Sequence, residues 1–266
     1  MCGRYAASKN PDDLVEEFEV AARPDKELKP DWNVAPTKDV YAVMMRPPRD
    51  DKEAPPRREL AVVKWGLVPS WAKDPSIGNR MINARMETVA EKPAYKRAFA
   101  RRRCILPADG YYEWYTPEDG PKGKGGKPLK QPFFIHPADG SSLAMAGLYE
   151  LWRDPTREDD DPKAWLMTCT VLTTTAEDSV GRIHDRMPLL VERDRWAEWL
   201  DPAVTGEKGD PRGLLVPAAP GRLDAYPVST LVNDVRHNGP ELVEPLPLDE
   251  ALTDGLDAGG DQSALF

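Results

Sequence analysis

Six strand-like runs constrain the fold most strongly. Each places β-branched, aromatic or other apolar residues in a short stretch, and none is followed by a long amphipathic helix. The runs are VYAVMM at 40–45, LAVVKWG at 60–66, RCILPADGYYEW at 103–114, FFIH at 133–136, LAMAGLYEL at 143–151 and WLMTCTVLTT at 165–174. A parallel sheet needs crossover connections that are usually helical. The pattern therefore predicts a single α+β domain with a curled, mostly antiparallel, barrel-like sheet and short flanking helices.

The first helix is predicted within SKNPDDLVEEFEVA. Asn10 can cap it, Pro11 suits the first helical position, and the next two aspartates favour the positive end of the helix dipole. Leu14 and Phe18 are one turn apart and form its buried face. Other short helices are predicted at 93–100, beginning near Pro93, at 175–181, and at 194–200 with Asp194 as the cap.

Four segments between the strands are rich in proline, glycine and charge. They cover 46–59, 117–132, 154–162 and 205–213. Such segments bury too little apolar surface to order themselves, so we expect surface extensions there.

Cysteine and histidine usage argues against a disulfide framework and against a metal site. The three cysteines contain no CxxC pair, and the three histidines are far apart with no metal-binding spacing. We therefore expect reduced thiols and neither a metal nor another cofactor. The sequence has no apolar stretch of the roughly 20 residues needed to span a membrane and no basic-then-apolar leader. We expect a cytoplasmic protein that does not bind membranes.

The negative charge is concentrated at the C-terminal end. Residues 241–266 hold seven acids and no Lys or Arg, so seven of the nine excess negative charges lie there and residues 1–240 carry a net charge of only −2. By contrast, residues 77–114 hold eight Lys or Arg against four acids. This segregation permits a basic surface on an acidic protein, so the overall charge does not exclude DNA as a partner.

The chain opens with MCGRY, which places a cysteine directly behind the initiator methionine. If Met1 is removed, Cys2 presents a free amine and a thiol on adjacent carbons. An α-amine titrates at about 7.7–8.0 and a free thiol at about 8.5, so a modest shift produces either nucleophile near neutral pH. An amine condenses with an aldehyde to an imine, and the neighbouring thiol can then close a five-membered ring.

Other motifs place polar residues inside apolar frames: WNVAPT at 32–37, KWGLVPSWAKD at 64–74, MINARMET at 81–88, ADGYYEW at 108–114 and IHDRMP at 183–188. Taken singly, each has an ordinary interpretation. Asn83 suits a strand end or turn, Glu113 alternates with aromatic residues as on a solvated sheet face, and His184 suits a structural role.

Taken in series, these motifs resemble the SRAP (SOS-response-associated peptidase) family. The resemblance also includes MAGLYE and the late segment YPVSTLVNDVRHNGPELVEP. It implies an SRAP-like abasic-site processing domain over residues 1–245, followed by an acidic, flexible tail at 246–266. The family's activity implies that Cys2, exposed by loss of Met1, attacks the aldehyde of an abasic site in single-stranded DNA during the DNA damage response. The implied product is a covalent protein–DNA crosslink of the thiazolidine type.

The resemblance also assigns site residues. It implies that Cys2 acts with Asn83, Glu113 and His184 as catalytic partners. The DNA-binding residues that it implies are Arg4, Asn33, Pro36, Trp71, Arg85 and Arg186, with the arginines on phosphates and Pro36 and Trp71 along the DNA channel. The implied partner is single-stranded DNA containing abasic sites, and we expect a monomer that associates with the nucleoid when DNA is damaged.

Two other functions remain open at the level of sequence. One is a cysteine peptidase or amidohydrolase that uses Cys2 with His184 and either Asn83 or Glu113, including removal of its own N-terminal residue. The other is a non-covalent binder of single-stranded DNA in which Cys2 is structural. A lyase side reaction on the DNA is also open.

Overall fold

The computed structural model describes residues 2–24, 26–48, 51, 53–118, 120–123, 125–158, 160–176, 178–205, 209–247 and 251–252. The strands are β1 (Tyr5–Ala7), β2 (Asp31–Val34), β3 (Asp39–Arg46), β4 (Arg57–Trp65), β5 (Asn83–Arg85), β6 (Arg103–Ala108), β7 (Gly110–Tyr115), β8 (Gln131–Pro137), β9 (Leu143–Arg153), β10 (Trp165–Thr175), β11 (Arg186–Pro188) and β12 (Leu223–Pro227). The α-helices are α1 (Pro11–Glu17), α2 (Lys96–Arg101), α3 (Asp178–Ile183) and α4 (Trp196–Leu200).

Five strands close into a barrel. The hydrogen-bonded order runs β10, β4, β3, β6, β9 and back to β10. All of these pairs are antiparallel except β10 with β4, which meet in parallel at Cys169 and Trp65. The predicted curled, mostly antiparallel sheet is therefore confirmed, and the closed ring leaves none of the five strands as a free edge.

A second, fully antiparallel sheet has the order β12, β8, β7, β1, β2. Its inner face and the barrel share one apolar core, to which Cys2, Trp65, Tyr111 and Met145 belong. A separate core lies under the helices, where the rings of Phe18 and Trp196 stack with their centroids 4.6 Å apart. Cys2, which precedes β1, and the inner face of β7 thus lie between two β layers.

The helix predictions have mixed outcomes. Helix α1 is confirmed, because the Asn10 side chain accepts hydrogen bonds from the two backbone N–H groups of Asp12 and Asp13, at 2.9 and 3.0 Å. The helix predicted from Pro93 instead begins at Lys96, after a turn. Asp194 does not cap the last helix, since it lies inside a 3-10 turn that leads directly into α4.

Several short strands could not be anticipated. Strands β1, β5 and β11 have three residues each, which is too short to show an alternating pattern. The run 103–114, predicted as one stretch, divides at Asp109 into β6 of the barrel and β7 of the second sheet. The Asp109 carboxylate fixes this corner by accepting a hydrogen bond from the backbone N–H of Ser8 at 2.6 Å.

The four predicted surface extensions and the acidic tail are only partly within the described residues. Where described, the extensions have local order: Arg157 forms ion pairs with both Asp154 and Asp161, and the Asp210 carboxylate caps a short 3-10 helix. Of the tail, residues 248–250 and 253–266 lie outside the description. Among the residues that the structure describes, no helix is long and apolar enough to cross a membrane.

Candidate active site

Cys2 is fully buried at the entrance to β1. Strand β1 pairs on one side with β2 and on the other with β7, and this double pairing draws the preceding residues into the core between the sheets. The Cys2 carbonyl accepts a hydrogen bond from Asn83 Nδ2 at 2.7 Å. Asn83 in turn is placed by the parallel pairing of β5 with β10, where it lies opposite Val171. Two of the predicted catalytic residues are thus in direct contact.

Two glycines allow β5 to reach this position. Gly66 follows β4 with a φ of 128°, which side chains rarely tolerate, and its N–H donates to the Cys169 carbonyl at 2.8 Å. A Cβ on Gly66 would lie only 2.6 Å from the carbonyl oxygen of Gly78. Glycine at these positions therefore lets the 66–82 segment fold back on itself, and this places Asn83 alongside β10.

Glu113 and His184 face each other beside Cys2. Glu113 is 3% exposed on β7, and its Oε2 lies 3.9 Å from His184 Nε2. The backbone N–H of Arg186 donates to His184 Nδ1 at 3.0 Å, so the neutral ring carries its proton on Nε2, toward Glu113. Asp185 Oδ1 is also 3.0 Å from Nδ1, but that carboxylate is largely exposed and its charge is screened by solvent.

Burial sets the protonation of this cluster. It raises the pKa of the Cys2 thiol well above the usual value, and the charge of Glu113 raises it further, whereas the positive charge of the N-terminal amine and a hydrogen bond from the Arg4 backbone lower it. Burial likewise raises the pKa of Glu113, with the charge of His184 acting in the opposite direction. A carboxyl group with a raised pKa can exchange protons closer to neutral pH, which is the property of a general acid–base group.

A cleft of about 790 Å³ gives access to this cluster. Glu113 and His184 lie in its wall, and the other lining residues are Trp114, Pro128, Leu129, Lys130, Thr230, Asn233 and Leu252. Trp114 Nε1 donates to Asn233 Oδ1 at 2.6 Å, which joins β7 to the loop after β12. None of these further lining residues was predicted as a site residue. Three of them had a signal in the sequence, since Trp114 lies in the same motif as Glu113 and Thr230 and Asn233 lie in the late segment at 226–245.

Arg4 and Asn33 form a buried contact with that loop. Asn33 is 0% exposed, its Oδ1 accepts from Arg4 Nη1 at 2.7 Å, and its Nδ2 donates to the carbonyls of Val232, Asp234 and His237. In this conformation the Asn33 amide is engaged inside the protein, and its contact with DNA stays a prediction. Arg4 is half-buried, and its guanidinium lies 5.8 Å from the centre of the Trp114 ring.

The other two predicted phosphate-binding arginines differ sharply. Arg186 is 9% exposed, and its guanidinium is bidentate to Glu87 at 2.6 and 3.1 Å while also donating to the Thr173 carbonyl. In this conformation it is engaged inside the protein and is not presented to a ligand. Arg85 is exposed, and none of the ion pairs among the described residues involves it.

The two predicted channel residues lie on loops around the barrel. Trp71 is 56% exposed in the segment after β4, and Pro36 is half-buried in the turn between β2 and β3. The structure gives no direct contact between either of them and the Cys2 cluster.

The basic segment predicted at 77–114 forms an exposed cationic surface on and around α2. Its members without an acidic partner in the described part of the chain are Arg80, Arg85, Lys92, Lys96, Arg97 and Arg101. The Lys96 N–H donates to the Lys92 carbonyl as in a helical turn, so these two residues form a like-charge i,i+4 pair, and Arg97 and Arg101 form a second. Such like-charge pairs destabilise a helix slightly, and a bound polyanion would remove this repulsion. The Tyr95 hydroxyl, donating to the Asn83 carbonyl at 3.3 Å, joins this surface to the site.

Within the described residues, no group of three or more His, Cys, Asp or Glu side chains is arranged to hold a metal ion.

Comparison with known proteins assigns the family. The family model described as SOS response associated peptidase (SRAP) matches residues 1–235. The chain is 38% identical over 248 residues to the abasic site processing protein YoqW of Bacillus subtilis, covering 92% of this chain and 99% of that protein. It is 32% identical to the abasic site processing proteins YedK of Escherichia coli, covering 92% of this chain and 100% of the relative, and HMCES of Gallus gallus, covering 93% and 79%. A solved structure from Bacteroides thetaiotaomicron shares the fold, with a TM-score of 0.72, 23% identity, and coverage of 92% of this chain and 100% of that one. The predicted membership is confirmed: the chain belongs to the SRAP family.

Proposed function

We propose that this chain processes abasic sites in DNA, and that it does so by covalent capture on Cys2 after Met1 is removed. The observation that carries the mechanism is that Cys2 contacts the Asn83 amide and lies within electrostatic reach of Glu113, which faces His184 in the wall of an open cleft. The abasic site processing proteins among its relatives support the substrate class.

The reaction balances with the cysteine alone as nucleophile. The Cys2 amine adds to the open-chain aldehyde of the abasic deoxyribose, and the carbonyl oxygen leaves as water to give an iminium ion. The thiol sulfur then adds to the same carbon and its proton is released. One C–N and one C–S bond form, the C=O bond is lost, and a thiazolidine ring joins protein to DNA.

The neighbouring side chains suit the proton transfers. Glu113 can accept a proton from the amine and return it to the departing oxygen, because burial raises its pKa toward neutral pH. His184 Nε2–H faces this carboxylate and can exchange protons with it. Asn83 Oδ1 is buried and has no hydrogen-bond partner in the described residues, so it can accept from the newly formed Cys2 amine.

The surroundings suit a single strand that lacks one base. Trp114 and Leu129 offer apolar surface for the flanking bases, and stacking on an aromatic ring contributes about 1–3 kcal/mol per base. Arg85 and the cations of α2 supply unpaired positive charge for phosphates. With no base to read at the lesion, we expect little sequence preference.

A cysteine hydrolase is less well supported. Such enzymes need a thiolate, which they obtain from a lowered thiol pKa and an adjacent histidine. Here burial and Glu113 raise the pKa of Cys2, and His184 Nε2 is directed to Glu113. Initial attack by the amine avoids this difficulty, since the sulfur is needed only for ring closure.

The test uses an oligonucleotide with one abasic site and looks for an adduct that survives denaturation. We expect the wild-type chain to form it. A variant with one residue inserted between Met1 and Cys2 keeps the thiol but moves the free amine, and should form none. Peptide hydrolysis without DNA that requires Cys2, combined with no adduct, would favour the hydrolase instead.

A further inference from the structure

Tyr111 carries a buried hydroxyl group that the fold does not use. The side chain is 0% exposed, and no group in the described residues accepts or donates a hydrogen bond at its hydroxyl oxygen. Leaving a buried polar group unpaired costs about 1–3 kcal/mol. Phenylalanine would fill the same core position without that cost, so the hydroxyl calls for a functional explanation.

The neighbouring tyrosine shows that the cost is avoidable. Tyr112 points to the opposite face of β7, and its hydroxyl donates to the Trp32 carbonyl at 2.7 Å. Of these two tyrosines, Tyr111 on the inner face is the one whose hydroxyl has no hydrogen-bond partner among the described residues.

The position of Tyr111 points to the reacting sulfur. Tyr111 and Glu113 are two residues apart on β7 and therefore project to the same side, and Tyr111 pairs with Tyr5 of β1, three residues after Cys2. Cys2 and Tyr111 belong to the same apolar cluster. Burial raises the pKa of Tyr111, and the charges of Cys2 and Glu113 raise it further, which places both groups within electrostatic reach.

We propose that the Tyr111 hydroxyl is a positioning donor that holds the Cys2 sulfur as it becomes anionic and closes the ring. This inference rests on the proposed function. Burial and the Glu113 charge both oppose the thiolate, whereas the positive charge of the N-terminal amine and the hydrogen bond from the Arg4 backbone favour it, and a hydroxyl donor on the sulfur adds to these two. Tyr5 belongs to the same core cluster as Cys2 and is also held neutral by burial.

The donor role is the one open to Tyr111. Its raised pKa keeps the phenol protonated at neutral pH, so it can donate a hydrogen bond but cannot act as a base. Hydrogen bonds to charged acceptors are about twice as strong as those between neutral groups. The contribution is therefore largest when the sulfur carries its negative charge.

The Tyr111→Phe variant tests this inference, with Tyr112→Phe as the matched control. We expect Tyr111→Phe to keep or increase the free energy of unfolding, because it removes an unpaired buried hydroxyl. It should slow crosslinking to an abasic oligonucleotide by about tenfold near pH 7 and shift the rate–pH profile upward. Alkylation of Cys2 by iodoacetamide, followed by mass spectrometry, should slow in parallel. Tyr112→Phe should lose stability and keep the wild-type pH profile.

The outcomes separate this inference from the proposed function. A wild-type chain that forms no adduct contradicts the proposed function itself. If the wild type forms the adduct while Tyr111→Phe matches it in rate, in pH profile and in Cys2 alkylation, the inference about Tyr111 is wrong and covalent capture stands. A slower Tyr111→Phe whose pH profile and alkylation rate are unchanged also overturns it, since a packing defect would explain the loss.

Discussion

Replacing Asn33 by alanine should test whether this residue binds DNA or shapes the protein. Its Oδ1 accepts a hydrogen bond from Arg4 at 2.7 Å, and the two hydrogens of its Nδ2 are shared among three carbonyls of the loop after β12, at 3.0, 3.1 and 3.3 Å. A typical hydrogen bond contributes about 1 kcal/mol net. Since one accepted bond and two donated hydrogens amount to three hydrogen bonds, we expect Asn33→Ala to lower the free energy of unfolding by about 3 kcal/mol.

Urea unfolding followed by intrinsic fluorescence measures this loss, and amide hydrogen exchange locates it. The exchange should accelerate most in residues 229–238, which include two residues that line the cleft, Thr230 and Asn233. Asn10→Ala is the matched control, because it removes the cap of α1 on the surface and should cost only about 1 kcal/mol.

A direct DNA contact makes the opposite prediction. Asn33→Ala would then retain the stability of the wild type and its hydrogen exchange in the loop, and lose only affinity for single-stranded DNA. That result would refute the assignment of Asn33 as an internal support.

Three further predictions concern charge. Glu113→Gln should slow crosslinking by about 100-fold or more. Because burial raises the pKa of Glu113, the wild type loses stability as the pH rises from the ordinary glutamate range to that raised pKa. The variant should therefore be more stable than the wild type at neutral pH and equally stable at acidic pH, and a stability difference that does not change with pH would contradict this. Glu87→Gln should release Arg186, so that the protein binds single-stranded DNA more tightly and its affinity falls more steeply with salt concentration. If the slope of log affinity against log salt is unchanged, Arg186 does not contact phosphates. The double variant Lys96→Ala, Arg97→Ala should reduce the slope of log affinity against log salt by about 0.7 per lost phosphate contact. The control Lys26→Ala removes a cation that is already paired with Asp39 and should leave the slope unchanged. Equal slopes in the wild type and both variants would exclude α2 from the DNA-binding surface.

The sequence predicted features whose causes are local. Helix α1 follows from Asn10 and Pro11 within one turn, and the long strands of the barrel show as continuous apolar runs. The three-residue strand β5 could not be predicted in this way, because it exists through pairing with β10, almost ninety residues later in the chain.

The same limit explains the site residues. Alternation with aromatic residues suggested that Glu113 faces solvent, yet it is buried, because β7 packs its inner face on the barrel. The carbonyl groups that accept from Asn33 are 199 to 204 residues away in sequence, and the carboxylate that pairs with Arg186 is 99 residues away. No local pattern distinguishes such an internal support from a side chain that contacts a ligand. The family resemblance supplied the candidate residues, and the structure divides them into exposed and internal groups.

The mass of the denaturation-resistant adduct tests the central claim most directly. Intact mass spectrometry of the wild-type chain crosslinked to an oligonucleotide with a single abasic site should give the mass of the chain without Met1 plus that of the oligonucleotide, less one water, with the link on Cys2. An equally abundant adduct that retains Met1, or one that forms at the same rate in Cys2→Ala, would contradict capture by the amine and thiol of this cysteine.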